Sequence, residues 1–131
     1  MTRAKIDPAL LKTLVGTFGT GGYANAAGTL FPAAITFSQP LAASLDAAHV
    51  IETLATPAHC PGAGRADPGY LCIYRPAFSN VTLAAGGPDD PVSLSLTGSG
   101  FGAGRYGTMV VYQSVTAGNA MAYGSWAVTA S

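Results

Sequence analysis

Charged side chains are scarce in this chain: six basic and six acidic residues among 131, or 9%, against about 25% in ordinary soluble domains. The two signs balance, which argues against nucleic acid, since a binder needs a clustered basic surface to displace counterions. Long apolar runs are also missing. None approaches the roughly 20 residues that span a bilayer. Met1 to Lys5 leads into Ile6-Asp7-Pro8 with no long apolar stretch behind it, so the start does not read as a secretory signal. Export would then follow loss of a signal with a larger parent chain, or use another route; an intracellular location is the third option. Catalytic motifs are lacking as well. There is neither a Gly-x-Ser-x-Gly elbow nor a His-Glu-x-x-His pair, so the chain does not read as an enzyme and implies no cofactor.

What is present is apolar and rich in glycine: 49% hydrophobic residues and 17 glycines. A chain of this length is expected to form one domain. Spread over the roughly 6,400 Å² that a folded monomer of this mass exposes, its charges stand one per ~530 Å². A standard interface takes about 800 Å² from each partner. Neutral patches of that size fit between the charges, and zero net charge leaves little repulsion between copies. Self-association is the expectation. The alternative is a monomer with a surface rich in Ser, Thr and Gly.

Asp7-Pro8 reads as a helix start, an N-cap acceptor followed by proline. Leu10, Leu11, Leu14 and Val15 recur at helical spacing and Gly16 offers a stop. Residues 1–16 are thus expected to form a short amphipathic helix, packed on its own domain or bundled between copies. Gly19-Thr20-Gly21-Gly22 reads as a flexible joint. From residue 17 to the end, short apolar runs alternate with Gly, Pro, Asn and Asp, the pattern of a β-sandwich or barrel. Candidate strands lie at 29–38, 48–54, 69–75 and 80–84, and Val92, Leu94 and Leu96 alternate with serines. Tyr106–Val115 and Met121–Thr129 read as a hairpin across Thr-Ala-Gly-Asn-Ala. Both faces of the last strand carry apolar groups, placing it against a partner subunit or in mid-sandwich. The expected fold is all-β: an antiparallel, jelly-roll-like sandwich of about eight strands with a short N-terminal helix.

Cys60 and Cys72 are the only cysteines. A disulfide would close a short loop, worth about 3 kcal/mol in the chain-entropy model, and would imply oxidising conditions. Free thiols are the second reading. A metal site, the third, would have only His49 and His59 to add. Neither histidine belongs to a recognisable nucleophile set, and a structural or solvated role is the plainer reading. Gly98-Ser-Gly100-Phe-Gly102-Ala103 fits the glycines of dinucleotide binding, but a strand rather than a helix is expected after it. Asp89-Asp90 offers two carboxylates where Ca²⁺ takes six to eight oxygens; a solvated turn is the simpler reading. Asn80-Val81-Thr82 matches a glycosylation acceptor by pattern alone. Tyr70, Tyr74, Arg75 and Arg105 are candidate sugar-binding residues. Leu10, Leu11, Leu14, Val15, Tyr123 and Trp126 are candidates for an interface between copies.

Gly28-Thr-Leu-Phe-Pro, Cys60-Pro-Gly, Pro68-Gly-Tyr-Leu-Cys72-Ile-Tyr74, Arg105-Tyr-Gly and the ending Tyr123-Gly-Ser-Trp-Ala-Val-Thr-Ala130 together resemble one family. It comprises C-terminal β-domains of actinobacterial exported proteins, placed after stalk-like or repetitive segments, a stalk this chain lacks. A looser likeness is to trimeric C1q-like and phage-fibre jelly-roll heads. The resemblance implies an exported surface protein with the Cys60–Cys72 bridge formed and no established activity; the expected function is a non-catalytic structural head, and the looser likeness suggests three copies. A carbohydrate-binding module is the alternative.

Overall fold

The computed structural model describes residues 12–84 and 102–130. It is all-β: the described residues hold nine strands and no α-helix. Strands β1 (Thr13–Ala24), β9 (Gly118–Thr129), β5 (Leu71–Ser79) and β4 (Val50–Thr53) form the first sheet in that order. The second sheet runs β2 (Leu30–Thr36), β8 (Gly107–Ser114), β6 (Val81–Leu83), and β3 (Leu45–Asp46) pairs with β7 (Gly102–Ala103). All pairs are antiparallel except β4 with β5. A 3₁₀ turn, Ala47–His49, is capped by the Asp46 carboxylate, which accepts from the His49 N–H.

Period-two alternation explains the layers. Phe31, Ala33 and Ile35 of β2 are buried while Leu30, Pro32, Ala34 and Thr36 are exposed. Val110 and Tyr112 of β8 join them from the neighbouring strand. From the first sheet come Leu14, Phe18, Leu71, Ile73, Trp126 and Val128, and all these residues make one core. Phe18 stacks on Tyr112, ring centroids 6.3 Å apart, and so links the two sheets.

Two expectations are corrected. The segment read as the end of a helix is the start of β1: Leu14, Val15 and Gly16 are extended and paired with Val128, Ala127 and Trp126. Leu14 and Val15, neighbours on the expected helical stripe, fall on opposite faces of the strand: Leu14 is buried with Phe18 on the even, inner face, and Val15 is exposed. Gly19-Thr20-Gly21-Gly22 is strand rather than a joint, and Gly16 and Gly21 are packing requirements. A Cβ on Gly16 would stand 2.5 Å from Trp126 Cζ2, and one on Gly21 would stand 2.5 Å from the Ala120 carbonyl oxygen. Leu10 and Leu11 lie outside the described residues, as do Val92–Leu96, Asp89-Asp90 and the first part of the 98–103 glycine run.

The second correction concerns the C-terminal hairpin. β8 pairs with β2 and β6, whereas β9 pairs with β1 and β5, so residues 115–117 cross between sheets. Asn80 clamps that crossing. Its Oδ1 accepts from the N–H and hydroxyl of Thr116, both at 2.9 Å, and its Nδ2 donates to the carbonyls of Thr116 and Asn119. Asn80 itself is left-handed, at φ 57°, a conformation asparagine tolerates better than most residues.

Candidate functional site

The parity that buries Trp126 and Val128 turns the odd-numbered residues of β1 and β9 outward. On β1 these are Thr13, Val15, Thr17, Gly19, Gly21 and Tyr23; on β9 they are Asn119, Met121, Tyr123, Ser125, Ala127 and Thr129. None carries a charge. Part of this face is covered by the chain itself. Residues 54–70 fold over the outer side of β4, β5 and the end of β9, and the Cys60–Cys72 disulfide pins them there, with Cα atoms 5.6 Å apart. Tyr74 Oη donates to the Arg65 carbonyl and accepts from the Gly62 N–H, while Thr129 Oγ1 donates to the Ala66 carbonyl. Cys60, Cys72 and Tyr74 form a second small core there. Outside this cover Val15, Tyr23, Met121 and Tyr123 remain open, at 58%, 68%, 36% and 52% exposure.

Of the six residues expected at an interface, Val15 and Tyr123 share this open face. Leu14 and Trp126 do not reach it: both are buried between the sheets, Leu14 because it lies on the even face of β1 and Trp126 because Gly16 opens a slot beneath its indole. Tyr23 and Met121 were missed. Tyr23 follows the glycines mistaken for a joint, which hid its strand parity with Val15.

The candidate sugar-binding residues are dispersed. Tyr74 is buried under the disulfide loop. Tyr70 packs against both histidines, with ring centroids 4.0 Å from His59 and 4.8 Å from His49, so its ring faces are occupied. Arg75 points between the sheets. Arg105 is exposed in the turn before β8, where its Nε donates to the Leu41 carbonyl at 2.7 Å. No single surface gathers the four.

Each histidine is held by a carboxylate: His49 Nδ1 lies 2.6 Å from Asp46 and His59 Nδ1 lies 3.1 Å from Asp67. The hydrogen bond from His49 lowers the Asp46 carboxyl below its usual range, with the imidazole charge acting the same way. A base with an orienting carboxylate is two-thirds of a nucleophile-activating set. Among the described residues no hydroxyl or thiol bonds to either ring, and both imidazoles pack on Tyr70. The Asn80 side chain is fully committed to its clamp, which leaves its nitrogen no free approach for a glycan. Gly102 and Ala103 are followed by a turn and β8 rather than a helix, and the dinucleotide pattern has no phosphate-binding terminus.

The remaining polar group is interior. Arg75 Nε donates to Glu52 at 3.0 Å, with side chains 8% and 4% exposed. The guanidinium lies 4.4 Å from the Phe78 ring centroid and 5.2 Å from that of Tyr112. Arg75 Nη1 and Tyr112 Oη are buried and, among the described residues, have no hydrogen-bond partner. Burial, followed by the Glu52 charge, pushes the Tyr112 phenol well above its ordinary value.

No protein-family model, curated protein or solved structure matches this chain. Any functional reading therefore rests on the chain's own chemistry. Among the described residues no helix is long and apolar enough to cross a membrane.

Proposed function

We propose that this chain is a non-catalytic structural head, a jelly-roll-like sandwich that self-associates through the open outer face of β1 and β9. One observation carries the reading. Val15, Tyr23, Met121 and Tyr123 are exposed on the outer side of β1 and β9, whose twelve outward positions include no charge. Water hydrates such a surface weakly, and burying it costs no ion desolvation. Aromatics and methionine are the residue types enriched at protein interfaces. The Cys60–Cys72 bridge supports display in an oxidising place, outside the cell or on a particle. Three copies is the number suggested by the likeness to trimeric heads alone.

The test is charge insertion. Tyr123→Lys and Val15→Glu place ions on the face without touching the core, so each variant stays folded and sediments as a smaller species than wild type at matched concentration. Unchanged mass in both variants, or a wild type that stays monomeric when concentrated, refutes the reading. Glycan binding is the second reading, favoured by the two exposed tyrosines on one flat face. A reproducible glycan-array signal lost in Tyr23→Ala and Tyr123→Ala would put it first.

A further inference from the structure

Among the described residues nothing pairs with the outer edge of β1. Thr129 fixes the direction of hydrogen bonding in the first sheet: its N–H donates to the Tyr70 carbonyl at 3.2 Å, and its carbonyl accepts from the Gly69 N–H at 2.8 Å. Both groups point toward β5 and away from β1. Antiparallel ladders alternate from residue to residue, so Val128, Trp126, Gly124, Ala122 and Ala120 point theirs toward β1. They face Leu14, Gly16, Phe18, Thr20 and Gly22 in register. The odd residues from Thr13 to Tyr23 then turn six N–H and six C=O groups to the outer edge, where no described strand pairs with them.

The other edges of the two main sheets are guarded. β4 has four residues and β6 has three, and β2 carries Pro32 in its middle. β1 runs twelve residues with neither a charge nor a proline. Long unguarded edges of this kind recruit another strand.

We propose that β1 pairs antiparallel with β1 of a second copy about a two-fold axis at Phe18, joining two four-stranded sheets into one of eight. The edge is self-complementary in that register. Thr13 meets Tyr23 of the second copy, Val15 meets Gly21 and Thr17 meets Gly19, so each larger outward side chain stands opposite a smaller one. All six donors of each copy find acceptors, giving about 12 hydrogen bonds where a typical interface has about 10 ± 5. This proposal rests on the self-association reading and adds a second contact to it: the edge joins copies in pairs, so the copy number is even rather than the three suggested by the likeness, and the outer face stays open for further association. The uncharged outer faces of the two copies become one continuous surface.

The test uses the full chain and sedimentation from low micromolar to near-millimolar concentration. Thr17→Pro removes an N–H that points to the free edge, a position where strands accept proline; Thr17→Ser is the control. Thr17→Pro is expected to weaken pairing ~30-fold, through two hydrogen bonds lost per dimer, and Thr17→Ser to pair like wild type. Tyr123→Lys, on β9 and away from the edge, leaves edge pairing intact. A folded Thr17→Pro that pairs as well as wild type overturns the edge geometry, and loss of mass only in Tyr123→Lys then leaves face association standing. Should Thr17→Pro not fold, amide exchange on wild type decides. Concentration-dependent protection of Thr17, Gly19 and Gly21 supports the pairing, and fast exchange of these amides in the associated protein overturns it.

Discussion

Replacing Arg75 tests the interior account most sharply. Its guanidinium is 8% exposed, bound to a Glu52 carboxylate 4% exposed, and lies between the Phe78 and Tyr112 rings. In Arg75→Met the stem volume is retained while the Glu52 charge stays buried without its counterion. Breaking a buried pair in this way costs about 3–5 kcal/mol. Loss of the cation–π contact adds up to about 2 kcal/mol where desolvated. Against a total stability of about 5–15 kcal/mol, the single variant approaches global unfolding. Replacing both partners, Arg75→Met with Glu52→Leu, removes both charges and the unpaired Nη1 together, and paired replacements of this kind are often neutral or stabilising. The double variant should therefore be markedly more stable than either single one. Urea unfolding followed by the fluorescence of Trp126, the sole tryptophan and a buried one, measures this at a dilution where copies are separate. Single losses below about 1 kcal/mol would fit an exposed pair and refute the reasoning. So would a double-variant loss equal to the sum of the two.

Three further expectations follow from the packing. Cys60→Ser with Cys72→Ser removes a bridge of sequence separation 12 and should cost about 3 kcal/mol, read as a lower urea midpoint; an unchanged midpoint contradicts it. Gly16→Ala pushes a methyl against the Trp126 indole and should cost about 1–3 kcal/mol with a shifted emission maximum; a neutral change would mean the indole does not fill that slot. The raised Tyr112 phenol means the folded state holds that proton more tightly than the unfolded chain does. Its contribution is complete below about pH 10 and is lost as pH rises beyond that. Tyr112→Phe should flatten this alkaline loss in denaturant titrations, and identical pH profiles for the two proteins would refute it.

Much of the β-architecture was legible because burial on one face writes a period of two into the sequence. Phe31, Ala33 and Ile35 show it plainly, and the 29–38, 48–54, 69–75 and 80–84 runs all contain strands. β1 was hidden because Leu14 and Val15 follow Leu10 and Leu11 at helical spacing and because Gly16 and Gly21 answer to Trp126 and Ala120, neighbours more than ninety-five positions away. The β8–β9 connection misled for the same kind of reason. A short glycine-containing link looks like a hairpin until Asn80, distant in sequence, is seen to clamp it. The candidate face was legible in part. The scarcity of charge pointed to a neutral surface, and Val15 and Tyr123 were on it. Which aromatics face outward depended on strand parity and on the cover held by the Cys60–Cys72 loop. That cover sent Tyr74 inside, while parity sent Trp126.

The uncharged outer face of β1 and β9 is the claim on which the functional account depends. Sedimentation equilibrium of the wild-type chain over a wide concentration range, with its disulfide intact, tests it most directly. The account predicts a weight-average mass that climbs from one copy to several as concentration rises, and a smaller rise for Tyr123→Lys. A single-copy mass at every concentration would contradict it.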